Sequence, residues 1–234
     1  MKRALLFAAA FAAIATPAFG QQIVAQSNFV NRQQQGAIPQ VSITVRADFV
    51  LFSVRFESAT RAADAREDEL AKTFAAVTQR AARAEGMSLE VGQPGMSAAV
   101  ETAAIKEMIQ NAGDDRSVIN VVLKVMVKPN ETFDAIRARA EKFVNDTPVT
   151  GRVESVIGDN QFLGISDPKK HRDVLIKAIA DDVKMMQTSF GGSATPVSVN
   201  LSGLEARTQT RPVGPLDLEI YIPYSMSVRS GAGQ

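Results

Sequence analysis

The stretch that decides the fold is 117–128, SVINVVLKVMVK, in which residues alternate between two faces. One face is uniformly apolar, and the other mixes apolar with polar residues. The uniform face carries Ile119, Val121, Leu123, Val125 and Val127. A strand with one buried and one mixed face is typical of an antiparallel sheet that is covered on one side.

Two stretches nearer the N-terminus alternate in the same way. Val41–Val45 alternates cleanly, and Phe49–Phe56 follows it directly. One face of the second stretch carries Val50, Phe52, Val54 and Phe56. Both stretches therefore predict strands that pack one face into the core.

The C-terminal stretch 216–228, LDLEIYIPYSMSV, alternates over thirteen residues, which is longer than a usual strand. Pro223 removes one backbone donor, so we expect this strand to lie at a sheet edge or to carry a bulge there. Two interpretations stay open: a long bent strand within one domain, or a strand that pairs with a neighbouring subunit.

Three helices are indicated by apolar stripes at helical spacing. The first runs from about Arg61 to Ala84 with Thr60 as N-cap, and the second follows Pro129 with Asn130 as cap. The third follows Ser166-Asp167-Pro168, a capping residue before a helix-starting proline, and ends at Gly191-Gly192. The stripes are Leu70, Phe74, Val77, Ala81 and Ala84; Phe133, Ile136, Ala140 and Phe143; and Leu175, Ile179, Val183, Met186 and Phe190.

These patterns predict an α+β fold, with a mainly antiparallel sheet and three long helices packed on one face. Residues 97–112 favour a short helix by propensity alone. Turns are predicted at the Gly-rich or Pro-rich clusters 92–95, 113–115, 158–160, 191–193 and 212–215.

The first twenty residues have the layout of a secretory signal peptide. Lys2 and Arg3 precede the apolar run Ala4–Ala15, and small residues lead to a cut expected after Gly20. The alternative is a membrane anchor, but a run of twelve residues is shorter than the roughly 20 that a bilayer needs. We therefore predict an exported, periplasmic protein.

The rest of the chain divides into three parts. Residues 21–40 are rich in Gln and Asn and predict a flexible segment, 41–230 form the domain, and 231–234 are a tail. The chain has no Cys, so packing and not disulfides must stabilise it. With 26 Lys and Arg against 25 Asp and Glu, nothing in its charge favours nucleic acid.

Few residues have the chemistry of a catalytic or metal site. His171 is the only histidine and lies in the basic run Lys169-Lys170-His171-Arg172, which is typical of a solvated helix face. Asp181 and Asp182 are adjacent, so on a helix they point about 100° apart and do not converge. The methionines Met87, Met96, Met108, Met126, Met185, Met186 and Met226 are interpreted as core-filling residues rather than a soft metal site. We assign no catalytic, cofactor-binding or metal-binding residue and expect no enzyme.

Three stretches occur in a characteristic order. They are Val41–Val45, leading to Ser58-Ala59-Thr60 and an Ala-rich helix; Val118–Val127, leading to Glu131-Thr132-Phe133; and Gly164–Lys170 (GISDPKK), leading to Ala178–Asp182 (AIADD). Over about residues 41–230 the chain resembles the SIMPL domain, a family of bacterial envelope proteins with some eukaryotic relatives. It departs from the family pattern at Ile165, which meets Ser166 directly where the family has a longer strand.

The resemblance implies an α+β domain exported to the periplasm or outer surface. It also implies oligomers in some members, loose links to oxidative or envelope stress, and no established catalytic residues. We therefore expect a non-enzymatic periplasmic protein that self-associates, through 216–228 in one interpretation, and supports envelope integrity or oxidative-stress tolerance. The alternatives are a small-ligand-binding or scavenging module and a hydrolase with an unrecognised site. Peripheral association with the outer membrane stays open.

Overall fold

The computed structural model describes residues 23–26, 41–92, 97–100, 102–191 and 197–230. Three α-helices lie in these ranges: α1 (Ala63–Arg83), α2 (Phe133–Asn145) and α3 (Lys169–Phe190). The strands are β1 (Ile23–Gln26), β2 (Ser42–Arg46), β3 (Phe49–Ser58), β4 (Met87–Val91), β5 (Ala98–Ala99), β6 (Gln110–Asn111), β7 (Ser117–Met126), β8 (Val153–Ile165), β9 (Val197–Ser202), β10 (Gln209–Pro212), β11 (Asp217–Tyr221) and β12 (Ser225–Ser230).

The strands form three antiparallel sheets. The central sheet has the order β1-β8-β3-β7-β4-β5, with β6 paired beside β4 on β7. A smaller sheet has the order β10-β11-β2, and β9 and β12 form a two-stranded ribbon. The predicted α+β class with a mainly antiparallel sheet is therefore confirmed.

One face of the central sheet carries the core. The predicted inward residues of β3 and β7 are buried together with most of the α1 and α2 stripes and the first part of the α3 stripe, while Ala84 and Phe133 are half-buried against them. The residues with no exposure include Phe52, Leu123, Phe74, Ile136 and Leu175. The opposite face holds a smaller cluster of Phe49, Leu51 and Val122, which matches its mixed composition.

The strand β8 is longer than its sequence suggests. The cluster Gly158-Asp159-Asn160 was predicted as a turn, but Phe52 of β3 pairs with Gln161 and Val54 pairs with Ile157. The three residues therefore form a bulge opposite Ser53 within a continuous strand of 13 residues. Bulges use the same glycine and short polar residues as turns, and the flanking pairing decides between them.

The prediction of one long strand over 216–228 is wrong. The chain breaks at Pro223, so that β11 joins the small sheet and β12 joins the ribbon. Proline has no N–H to give to a ladder, and the break moves the chain from one sheet to another. β11 pairs within this chain on both sides, whereas β12 pairs only with β9 among the described strands.

Two predicted helix caps are also wrong. α1 begins after Ala62, and the hydroxyl of Thr60 instead donates to the carboxylate of Glu69. α2 is capped by Thr132, whose Oγ1 accepts from the Ala135 N–H at 3.3 Å, while Asn130 adopts a φ of 60° in the preceding turn. Asn tolerates this left-handed conformation better than most residues, which explains its place two positions before the cap.

The remaining segments differ in part from their predictions. The short helix predicted within 97–112 is present as a 3₁₀ helix over Thr102–Met108, and β5 and β6 flank it. Within 21–40, predicted as flexible, Ile23–Gln26 pairs with the end of β8. The predicted signal peptide, the rest of 21–40 and the tail 231–234 lie outside the described residues. In the described ranges, every helix is too short or too polar to cross a bilayer.

Candidate functional site

The residues that the sequence singled out do not meet in one place. His171 is half-buried, and burial lowers its pKa, as does nearby Lys170, against the opposing charges of Asp48 and Asp167. Arg172 donates to the backbone carbonyls of Leu204 and Ala206, so it is not a free cation. Among the described residues, no three His, Asp or Glu side chains cluster as metal ligands.

The adjacent acids diverge as expected. Asp181 is exposed and lies 3.5 Å from Lys184. Asp182 is only 9% exposed and is a close neighbour of Tyr224. Burial raises the pKa of Tyr224, and the neighbouring Asp182 raises it further. This contact joins α3 to the chain just after Pro223.

The methionines are divided between core and surface. Met87, Met108, Met186 and Met226 are half-buried, whereas Met126 and Met185 are exposed, and Met96 lies outside the described residues. The exposed pair lies on different elements, β7 and α3. The interpretation of all seven as core-filling residues therefore fails for Met126 and Met185.

The second half of α3 and the ribbon form a partly covered layer, which we call the arm (residues 180–190, β9 and β12). The predicted α3 stripe is buried only as far as Ile179, and Val183 and Met186 are half-buried. Phe190 is 64% exposed and Met185 is 52% exposed. The stripe prediction is therefore wrong for the last turns, because the ribbon that α3 contacts has only two strands among the described residues.

The ribbon has one apolar and one polar face. Val199 pairs with Val228 and Leu201 with Met226, so these residues share a face. α3 packs on β9, yet Val228 remains 40% exposed. The other face carries the exposed polar residues Ser198, Asn200, Ser202, Ser225, Ser227 and Arg229.

A cleft of about 550 Å³ lies between the first turn of α2 and one end of the small sheet. Its walls come from β2, the loop before α2, β8 and the turn before β11. The lining residues are Arg46, Asn130, Glu131, Thr132, Phe133, Asp134, Gln161, Pro215, Leu216 and Asp217. Clefts of this size are usual for small ligands.

Some charges of the cleft are already satisfied within the fold. The carboxylate of Glu131 accepts from Nη2 of Arg139 at 2.8 Å and from the Lys128 N–H at 3.0 Å. Burial by itself would raise the pKa of Glu131, but these donors outweigh burial and lower it. The backbone carbonyl of Glu131 accepts from Nη2 of Arg46. Glu131 therefore holds the cleft wall in place.

The outward face of the small sheet places two arginines opposite acids. Arg211 lies opposite Glu219, and the two form an ion pair. Arg46 lies opposite Asp217 in the same sheet, but no salt bridge joins them in the described structure. The carboxylate of Asp217 has no hydrogen bond or ion pair with any described residue. The open pair lines the cleft, and the closed pair does not.

A buried polar network lies on the central sheet, where β3 ends and β7 begins. Arg66 is buried and donates to Ser117 Oγ at 3.0 Å and to the carbonyls of Thr60 and Arg61. Glu69 accepts from Ser58 Oγ at 2.7 Å. Burial alone would raise the pKa of Glu69, but the donors of Ser58, Thr60 and the Arg152 N–H lower it. This network ties α1 to β3 and to the loop before β8, which is a structural role.

No family model, curated protein or solved structure matches this chain. The resemblance to the SIMPL domain therefore stays a prediction from sequence motifs. The sequence did not indicate Arg46 and Asp217, because each is an ordinary charged residue at the end of a strand until the β2–β11 register is known.

Proposed function

We propose that this chain is a non-enzymatic exported protein that assembles with copies of itself through the arm. The observation that supports this most directly is the ribbon, whose apolar face is half-covered and whose outer edges are unpaired among the described strands. Unpaired strand edges are templates for pairing with another chain.

The ribbon has few of the features by which proteins usually protect an edge. Those features are charges, proline, a bulge or a very short strand. β9 and β12 are six residues each, pair in continuous register and carry Arg229 as their one charged side chain. An edge left open in this way favours pairing over solvation.

The partner that fits this edge is a second copy of the chain. An antiparallel β12–β12 contact around a two-fold axis would present the same residues from both sides, as symmetric dimers do. It would extend the ribbon to four strands and cover Val228 of both copies. The exposed Phe190 and Met185 lie on the helix that covers this ribbon and would add apolar area to the contact.

Export and an envelope role complete the proposal. They are supported by the signal-peptide pattern of residues 1–20 and by the resemblance to the SIMPL domain. Cell fractionation with N-terminal sequencing tests export: we expect a periplasmic chain beginning at Gln21, and a cytosolic chain beginning at Met1 would contradict the proposal. A deletion strain should become sensitive to envelope-damaging agents or to oxidants.

The assembly test uses two matched substitutions in sedimentation velocity. Val228→Lys places a charge on the ribbon, and Val156→Lys places the same charge at a 58% exposed valine of the central sheet. We expect a discrete oligomer for the parent chain and for Val156→Lys, and a monomer for Val228→Lys. A parent chain that is monomeric at every concentration refutes assembly, and equal oligomers in both variants refute the arm as its site.

A second function is favoured by the cleft. Its volume, its apolar residues Phe133 and Leu216 and its unpaired Asp217 are the features of a small-ligand site. Ligand-dependent thermal stabilisation tests this role, because a ligand that binds only the folded chain raises Tm.

A further inference from the structure

We propose that the cleft binds a small zwitterion with an apolar side chain, of the α-amino acid class, between Arg46 and Asp217. This inference rests on the ligand-binding role proposed for the cleft and names the chemistry of its ligand. The ligand carboxylate would pair with the Arg46 guanidinium, and the ligand ammonium would pair with the Asp217 carboxylate.

Two arginine–acid pairs lie on one face of the small sheet, and only one of them forms a salt bridge. Opposite residues of an antiparallel pair have Cβ atoms about 4.5–5.5 Å apart, so opposite charges there can meet. Arg211 and Glu219 do so, whereas Arg46 turns to the Glu131 carbonyl and leaves Asp217 without a partner. The pair that stays open is the one that faces the cleft.

Arg46 retains donors for a ligand. A guanidinium has five N–H donors in a planar arrangement that suits a carboxylate, and Arg46 uses one of its two terminal nitrogens on the Glu131 carbonyl. Asp217 is half-buried, and its backbone carbonyl accepts from the Val213 and Gly214 amides at 2.9 and 3.3 Å. These bonds fix the position from which the Asp217 side chain projects.

The positions of Arg46 and Asp217 also select the distance between the two charged groups of the ligand. An α-amino acid carries its ammonium and carboxylate on one carbon, so it suits charges on directly opposite residues. A simple anion would leave Asp217 unpaired, and a simple cation would leave Arg46 without a carboxylate. Phe133, Pro215 and Leu216 provide apolar lining for the ligand side chain.

The test compares four probes on the whole mature chain by isothermal titration calorimetry. They are phenylalanine, phenylalaninamide (no carboxylate), N-acetylphenylalanine (no ammonium) and 6-aminohexanoate (charges far apart). We expect phenylalanine to bind about tenfold or more tighter than each of the other three, a difference that corresponds to about 1.4 kcal/mol. No variant is needed for this comparison, so it does not depend on a mutant that folds.

Variants then assign each charge. Asp217→Asn should abolish the preference for phenylalanine over N-acetylphenylalanine, and Arg46→Gln should abolish its preference over phenylalaninamide. Arg211→Gln is the matched control on the same sheet face and should preserve both preferences.

The outcomes separate the two levels of the proposal. If no probe binds at up to about 10 mM, the inference fails and the cleft has no support as a site for this kind of molecule. If all four bind equally, the cleft is a ligand site but the zwitterion class is wrong. If Arg211→Gln changes the preferences as strongly as Asp217→Asn, the location is wrong.

Discussion

The contact between Tyr224 and Asp182 gives a sharp prediction because it lies at the base of the arm. Tyr224 follows Pro223, where the chain leaves the small sheet for the ribbon, and its hydroxyl meets a carboxyl group on α3. Oδ2 of Asp182 is buried without a hydrogen bond to any described residue. Tyr224→Phe therefore removes the hydroxyl group beside a buried acid while it keeps the ring.

The expected loss follows from this geometry. Leaving a buried polar group without its partner costs about 1–3 kcal/mol, and the retained ring adds no cavity term. For a domain of about 200 residues, 1 kcal/mol corresponds to roughly 2–4 °C in Tm. We therefore expect Tyr224→Phe to lower the free energy of unfolding by about 2 kcal/mol and Tm by roughly 4–8 °C.

The assay is urea denaturation of the parent and two Tyr→Phe variants. Tyr221→Phe is the matched control, because the Tyr221 hydroxyl donates to Gln209 Oε1 at 3.0 Å in an exposed position. An exposed bond of this kind should cost within about 0.5 kcal/mol. Equal losses in the two variants, or no loss for Tyr224→Phe, would refute the contact between Tyr224 and Asp182 as a stabilising one.

Three other predictions concern the polar network and the cleft wall. Gly151→Ala should destabilise the chain more than Gly86→Ala. Both glycines have a φ near the left-handed region, 63° and 71°, but an added Cβ at 151 would overlap the Glu69 carboxylate, whereas one at 86 would lie 3.3 Å from Cβ of Met126. The free energies of unfolding measure this difference, and equal losses would contradict it. The pKa of Glu69 is lowered from 4.5, so the stability that its charged form contributes is complete above about pH 4.5 and is lost as pH falls through the lower folded value. The difference in the free energy of unfolding between the parent and Glu69→Gln should therefore shrink in acid, with exposed Glu67→Gln as the control. A difference that widens in acid would contradict this sign. Thr132→Ala should cost about 1 kcal/mol, since it removes the α2 cap, and Thr132→Ser should restore most of that; a Ser variant as unstable as Ala would argue against capping.

The sequence predicted those parts of the fold in which one face is uniformly apolar. The alternation in β3 and β7 and the first four stripe residues of α1 needed only local spacing, because a deep core buries every one of these residues. The last turns of α3 carry the same spacing, yet Phe190 is exposed because a two-stranded ribbon cannot cover it. Periodicity indicates the direction of a side chain and not whether another element lies there.

Long-range pairing explains the other differences. The residues of the 158–160 bulge read as a turn, and only the pairing with β3 on both sides shows that the strand continues. Pro223 was expected to mark a sheet edge or a bulge. The chain instead leaves the small sheet there, because β12 pairs with β9 in the ribbon. The cleft was beyond sequence reasoning for the same reason: Arg46 and Asp217 are 171 positions apart and meet only through the β2–β11 register.

The most direct test of the assembly proposal is amide hydrogen exchange of β12 as a function of protein concentration. If copies pair along this edge, the amides of Ser225–Ser230 should become more protected as concentration rises, while those of β11, already paired on both sides, should not change. Exchange in β12 that stays the same across the concentrations at which the chain associates would show that the arm is not where copies meet.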